Sequence, residues 1–130
     1  IHGANGLMCR KYLSEDKNYS EKIPLIRLSE MYYILAESVT LEESVTYINK
    51  VRNARGISRN NNIEANDSYD EAARKEALNK EYQKDFFAEG QYFYFLKRHN
   101  YKTFWRCPVE KMDYYVLPTP DDEIAYGNGK

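Results

Sequence analysis

The chain has 130 residues, the length of one domain, with 19 basic and 20 acidic residues and a formal net charge of −1. A net charge so close to zero argues against a protein whose main role is to bind the phosphates of nucleic acids. No apolar run reaches the length of a membrane span, and no signal peptide or lipid-attachment segment is recognisable. Cys9 and Cys107 form neither a CxxC nor a metal-ligand spacing, so each is expected to be reduced and buried. A disulfide between them would require the two chain ends to meet.

Residues 1–23 are polar and irregular and predict an arm. Pro24 then opens a first helix over 24–39, since its missing N–H would have no partner at a helix start. Apolar residues recur along this helix at helical spacing. Leu28 and Leu35 belong to that stripe, and we expect both in the core.

A tight break leads to a second helix over 41–55. Thr40 is its expected N-cap, with Glu43 completing a capping box. Ile48 and Val51 lie on its apolar stripe and are expected in the core. Gly56 follows a cationic last turn and fits a left-handed residue just beyond the helix.

A third helix is predicted over 69–89, capped by Ser68 with Glu71, and its core residues are expected to be Leu78 and Phe86. Gly90 interrupts the helical pattern. A glycine at this position would be explained by a left-handed backbone at Gly90 or by a neighbouring backbone too close for a Cβ. Either explanation predicts that the chain bends before a fourth helix over 91–98. A last short helical turn is expected to begin near Thr119 and end near residue 126.

These elements predict an all-α protein. Two antiparallel helices joined by a tight turn resemble one tetratricopeptide-type hairpin, to which the long third helix is added. Irregular aromatic loops and extended termini complete the expected architecture. One helical domain over 24–126 is expected, with residues 127–130 as a tail.

The aromatic loop after the fourth helix is the candidate ligand-binding site, through Tyr101, Phe104, Trp105 and Arg106. Its rings can stack on the apolar face of a sugar, and Arg106 can hydrogen-bond to hydroxyl groups. The alternative is that Phe104 and Trp105 fill the core beneath the loop.

Charged residues among apolar ones on the helices predict a structural ion network. Its members are Glu37, Arg52, Arg55, Glu81, Glu89 and Arg98. The alternative is ordinary surface charge, each pair of which contributes little. No catalytic set is expected, because the clustered carboxylates of 121–123 are explained as a helix start and no nucleophile elbow occurs. No metal site and no cofactor are expected either.

Three blocks, in order, resemble the SusD/RagB family. The first joins PLIRLSEMYYILAE at 24–37 to YINKVRNARG at 47–56, the second is EYQKDFFAEGQYFYFLKR at 81–98, and the third is YVLPTPDDEI at 115–124. The chain departs from the family pattern at Tyr82, Gln91 and Tyr94, so an ion pair through those positions is not carried over.

The resemblance implies the C-terminal portion of a lipid-anchored protein on the bacterial outer-membrane surface. Such a protein captures a glycan or another nutrient for a TonB-dependent, SusC-like transporter, has no catalytic activity, and meets the membrane only through its anchor. The alternative function is a helical-repeat scaffold that binds protein segments. An exposed coplanar aromatic pair would favour nutrient capture, whereas a groove lined with Asn, Lys and Arg would favour the scaffold.

Overall fold

The computed structural model describes residues 24–104, 115–116 and 118–127, apart from the side chains at positions 122 and 126. These residues form five α-helices and a short 3₁₀ turn, and they contain no strand, which confirms the all-α prediction. The helices are α1 Leu28–Ser38, α2 Leu41–Ala54, α3 Glu71–Asp85, α4 Gln91–Arg98 and α5 Asp121–Tyr126. No helix in the described ranges combines the length and the hydrophobicity that a membrane crossing requires. The arm and both cysteines lie outside the described residues.

The chain divides into two compact units, one ending at Glu81 and the other beginning at Tyr82, and α3 contributes residues to both. Each unit has buried apolar residues of its own. The predicted single domain over 24–126 stays a prediction.

The α1–α2 hairpin of the first unit has the predicted local signals. The Thr40 hydroxyl accepts a hydrogen bond from the Glu43 N–H at 3.3 Å and donates one to the Glu43 carboxylate at 3.3 Å. Gly56 has φ +90°, and the N–H of Ile57 donates to the carbonyl of Arg52 at 3.0 Å, which is the closing bond of a Schellman motif. The cap at each end of α2 is therefore confirmed.

The face of α1 that is buried differs from the predicted one. α1 packs against α2 and buries Tyr33 and Ala36, whereas Leu28 is 68% exposed and Leu35 is 42% exposed. The core assignment of Leu28 and Leu35 was wrong, because α1 is apolar around much of its circumference and one neighbouring helix covers only one stripe. α1 also begins later than predicted, since the extended backbone of Arg27 keeps the preceding residues out of the helix.

The remaining core of the first unit comes from α2 and α3. Ile48, Val51 and Leu78 are buried, which confirms their assignment. Asn49 connects α2 to the loop before α3: its amide donates to the carbonyl of Ile63 at 2.8 Å and accepts from the N–H of Ile63 at 2.9 Å. This pair satisfies two backbone groups of an irregular segment.

The start of α3 was predicted two residues too early. The Asp70 carboxylate accepts from the Ala73 N–H at 2.8 Å, so Asp70 occupies the N-cap position. Ser68 instead donates its hydroxyl to the Asn66 side chain at 2.6 Å. Ser68 and Asn66 thus form a local turn that competes with the helix for the serine side chain.

The bend between α3 and α4 exists, but Gly90 does not make it. Gly90 has φ −71° and a helical conformation, and a Cβ there would lie 3.6 Å from a ring carbon of Tyr94, an ordinary contact. The left-handed residue is Ala88, with φ +60°. Helix α3 therefore ends at Asp85, before the predicted limit, and α4 begins at Gln91 as predicted.

The second unit is built around stacked aromatic rings. Tyr82 lies parallel to Phe95 with 4.4 Å between ring centroids, and Phe86 lies 5.1 Å from Tyr82. Phe86 is buried, as predicted, together with Leu96 and Tyr115. Tyr82 therefore packs in the aromatic core of this unit.

Candidate ligand-binding site

The end of α4 sets the course of the aromatic loop. Asn100 is left-handed at φ +52°, and the N–H of Tyr101 donates to the carbonyl of Leu96 at 3.1 Å, as in a Schellman motif with Asn in place of Gly. The Tyr115 hydroxyl then donates to the carbonyl of Tyr101 at 2.6 Å. The ring of Tyr101 lies 6.0 Å from that of Phe95, so it packs beside the aromatic core.

Phe104 lines a cavity of about 260 Å³ in the second unit, called here the aromatic cavity. Other lining residues come from the α3–α4 bend and from α4, among them Gln83, Phe86, Phe87, Glu89 and Phe93. Phe87 is 52% exposed and Phe93 39% exposed, so their rings reach solvent at the cavity. The left-handed backbone of Ala88 lies directly between Phe87 and Glu89 and turns the chain around the cavity.

The four predicted ligand-binding residues are placed differently. Phe104 lines the aromatic cavity, whereas Tyr101 packs beside Phe95 and does not line it. Trp105 and Arg106 lie outside the described residues, so their assignment stays a prediction. Phe87 and Phe93 also line the cavity and were not among the predicted site residues, because they lie outside the aromatic loop.

Two members of the predicted ion network, Arg52 and Glu81, form a close pair in the first unit. Arg52 Nη1 donates to Glu81 Oε1 at 2.7 Å, and Arg52 Nη2 donates to the carbonyl of Asn61 at 2.9 Å. Glu81 is buried, so its charge needs this partner.

The other four members belong to α1, the end of α2, the α3–α4 bend and α4. Glu37 is half-buried on α1, Arg55 is exposed at the end of α2, and Glu89 lines the aromatic cavity. The Arg98 guanidinium carbon lies 5.9 Å from the Phe95 ring centroid, within cation–π range. A network that joins all six residues stays a prediction.

Two further concave sites lie in the first unit, one on the α1–α2 hairpin and one between α2 and the segment that follows it. One, of about 430 Å³, has Tyr32 and three cationic side chains in its lining and is called the hairpin cavity. The other, the amide groove, has a volume of about 470 Å³ and is lined by Asn49, Lys50, Asn53, Arg59 and Asn62, among others. Tyr32 and Tyr47 stack with 6.1 Å between centroids and an interplanar angle of 22°. The amide groove is the feature named above as favouring a scaffold. The Tyr32–Tyr47 pair is near-coplanar but half-buried, so it is not the exposed pair that would favour nutrient capture.

Across residues 24–104 and the described part of the C-terminal segment, no cluster of three or more His, Cys, Asp or Glu could hold a metal ion. Comparison with family models gives a match to the model described as the SusD family, over residues 2–128. Neither the curated proteins nor the solved structures contain a match to this chain.

Proposed function

The chain belongs to the SusD family, and on that premise we propose that it is a non-catalytic component of nutrient capture at the outer-membrane surface. Its ligand is a glycan, and its partner is a TonB-dependent, SusC-like transporter. The parent protein is attached to the membrane through a lipid anchor. The observation that carries this proposal is the family match over residues 2–128, nearly the whole chain.

The aromatic cavity is the ligand site that we propose for this function. Phe87, Phe93 and Phe104 provide apolar ring surface, and two of these rings are substantially exposed. The amide of Gln83 and the carboxylate of Glu89 supply the few polar groups that would orient hydroxyl groups. At about 260 Å³ the cavity lies near the lower limit of ligand pockets, roughly 300 Å³, so a single sugar ring fits better than a longer segment.

The test is a binding measurement on the 130-residue chain with a panel of neutral oligosaccharides. Phe104→Ala should weaken binding about tenfold, which corresponds to about 1.4 kcal/mol. Tyr94→Ala is the matched control, since Tyr94 is an exposed ring outside the lining of the cavity. Circular dichroism on both variants confirms that the helices are retained. An equal loss of oligosaccharide affinity in the two variants would contradict the proposed site. So would the absence of binding by the unsubstituted 130-residue chain.

The absence of catalysis has its own test. Incubation of the pure protein with a panel of polysaccharides should release no reducing ends. Release that disappears in Glu123→Gln would overturn the proposal, because Glu123 belongs to the carboxylate cluster at the start of α5.

The transporter partnership is tested with the chain as immobilised bait. Solubilised outer membranes of the source bacterium should yield a TonB-dependent transporter on the bait and none on a bait unfolded beforehand. If the folded bait retained other proteins but no TonB-dependent transporter, the proposed partnership would be contradicted. The proposal of glycan binding would not be affected.

The second candidate function is a helical-repeat scaffold for protein segments, and the amide groove favours it. The side-chain oxygens of Asn53 and Asn62 are buried and have no hydrogen-bond partner among the described residues, and both residues line the groove. A rotation that brings either oxygen to the groove surface would let it accept from a bound backbone N–H. Lys50 and Arg59 add positive charge. Asn53→Ala should then weaken binding of a peptide library and leave glycan binding unchanged. Loss of glycan binding alone would exclude the scaffold.

A further inference from the structure

Gln83 is a polar side chain of the aromatic cavity that remains available to a ligand. Its amide forms no hydrogen bond among the described residues, whereas Glu89 and Tyr92, the other polar side chains of the described lining, already interact within the chain. Gln83 is half-buried, and neither of its amide atoms is enclosed without a partner. Its N–H donors and its carbonyl acceptor are therefore open to a bound molecule.

The end of α3 places this amide among phenyl rings. The N–H of Phe86 donates to the carbonyl of Tyr82 at 2.9 Å, so the helical turn continues as far as Phe86. Residues three apart on a helix are neighbours on one face, which puts the Phe86 ring beside Gln83. Phe93 from α4 and Phe104 from the aromatic loop add further ring surface to the lining. The free amide is thus one polar group in a mainly aromatic cavity.

An amide surrounded by rings favours one kind of sugar substituent over another. A plain hexose carries hydroxyl groups on most of its carbons, and each hydroxyl that leaves water needs a hydrogen-bond partner. An acetamido group instead brings one N–H, one carbonyl and a methyl group. Its N–H and carbonyl match the carbonyl and N–H of the Gln83 amide, and its methyl can pack on the phenyl rings. The acetamido side of a sugar therefore fits this lining better than a side that carries hydroxyl groups alone.

We propose that the aromatic cavity binds an N-acetylated hexosamine, with the acetamido group paired to Gln83 and its methyl group against Phe93 and Phe104. The inference deepens the proposed function and rests on it, since the choice of a saccharide comes from the capture role. The choice of the N-acetylated one comes from the free amide and the rings around it. The remaining hydroxyl groups of the sugar lie at the mouth of the cavity, where the exposed parts of Phe87 and Phe93 meet solvent.

The experiment is calorimetric titration of the 130-residue chain with three β-1,4-linked trimers that differ only at carbon 2 of each ring. Triacetylchitotriose carries acetamido groups there, cellotriose carries hydroxyl groups, and the glucosamine trimer carries amines. We expect triacetylchitotriose to bind about tenfold more tightly than cellotriose, because cellotriose leaves the Gln83 amide without its partner. The glucosamine trimer should bind no better than cellotriose. If it bound as tightly as triacetylchitotriose, the charge of Glu89 would be holding an amine, and the proposal would be overturned.

A pair of glutamine variants tests the residue that sets the preference. Gln83→Met keeps a long, helix-favouring side chain and removes its hydrogen-bonding groups, so it should abolish the preference for triacetylchitotriose over cellotriose. Gln91→Met is the matched control, because Gln91 is the other glutamine of the chain, is also half-buried and lies outside the cavity lining. Circular dichroism on both variants checks that the helices are retained. A preference that both variants reduce equally, or that neither reduces, would overturn the proposal.

The same titrations separate this inference from the proposed glycan site. Equal affinities for cellotriose and triacetylchitotriose, both weakened by Phe104→Ala, would refute the choice of an N-acetylated sugar and keep the aromatic cavity as the glycan site. No binding of any trimer would refute both. A preference for triacetylchitotriose that is lost in Gln83→Met, with both affinities lowered in Phe104→Ala, is the result that we expect.

Discussion

The turn between α3 and α4 predicts that two opposite substitutions, Ala88→Gly and Gly90→Ala, should each stabilise the protein. An L-residue in the left-handed region costs about 1–2 kcal/mol, and Ala88 has φ +60°. Glycine has no such cost, although it adds about 0.5–1 kcal/mol of unfolded-state entropy. Ala88→Gly should therefore stabilise the protein by roughly 0.5–1 kcal/mol.

Gly90 should respond in the same direction for a different reason. Its backbone is helical, at φ −71° and ψ −22°, so alanine can adopt it without strain. The new Cβ would meet Tyr94 at 3.6 Å, an ordinary van der Waals distance. Because alanine restricts the unfolded chain more than glycine does, Gly90→Ala should raise the free energy of unfolding by about 0.4–1 kcal/mol.

Urea unfolding of both single variants and the double variant, followed by circular dichroism, measures these changes. The positions are close, so the double variant need not equal the added single effects. Destabilisation by Gly90→Ala of about 1 kcal/mol or more, with no effect of Ala88→Gly, would contradict these backbone assignments. That result would assign the left-handed residue to Gly90.

Three further comparisons use the same unfolding assay. Ile48→Ala should lower the free energy of unfolding by about 2–5 kcal/mol because Ile48 is fully buried. Leu35→Ala should lower it by less than about 1 kcal/mol, because Leu35 is 42% exposed and leaves no closed cavity, and equal losses would refute the assigned face of α1. Asp70→Ala should lower the free energy of unfolding by about 1 kcal/mol because it removes the cap of α3, and Ser68→Ala should lower it by less. A larger loss in Ser68→Ala than in Asp70→Ala would mean that Ser68 is the cap residue. Glu81→Gln should lower the free energy of unfolding by about 2–4 kcal/mol, since it leaves the largely buried Arg52 without its counter-charge. An unchanged free energy of unfolding would show that this ion pair contributes little to stability.

The parts of the fold that could be predicted are those fixed by local hydrogen bonds. The cap at Thr40 and the left-handed Gly56 each depend on groups within a few residues, so the sequence carries the whole signal. The cap of α3 shows the limit of this reasoning. Ser68 and Asp70 are both good cap residues, and the preference of Ser68 for the Asn66 side chain decided between them.

The buried face of α1 could not be predicted because the required information is not local. Leu28, Leu35, Tyr33 and Ala36 are all apolar, and only the position of α2 decides which pair is covered. The Ala88 turn is a similar case, since glycine is the usual left-handed residue and a glycine stands two positions away. Packing of Phe86 and the rings around it outweighs that local preference.

The sequence could indicate a candidate site only where the site residues lie close together along the chain. Phe104 stood in a conspicuous aromatic stretch, and it lines the aromatic cavity. The hairpin cavity had no such signal, because Arg27 and Lys50 belong to different helical segments and meet only when the hairpin forms. Sites assembled from separate elements require knowledge of which helix faces meet, and that was the weakest part of the sequence reasoning.

The aromatic cavity predicts how ligand binding should depend on salt. The cavity offers ring surface, with Glu89 as an ionisable group in its lining, so binding of a neutral sugar should persist or strengthen as salt rises. Contacts between exposed charges behave in the opposite way, because physiological salt screens them beyond about 8–10 Å. A titration in which a neutral oligosaccharide binds more weakly at each higher salt concentration would mean that charge holds the ligand. The assignment of ring stacking as the main force in the aromatic cavity would then be wrong.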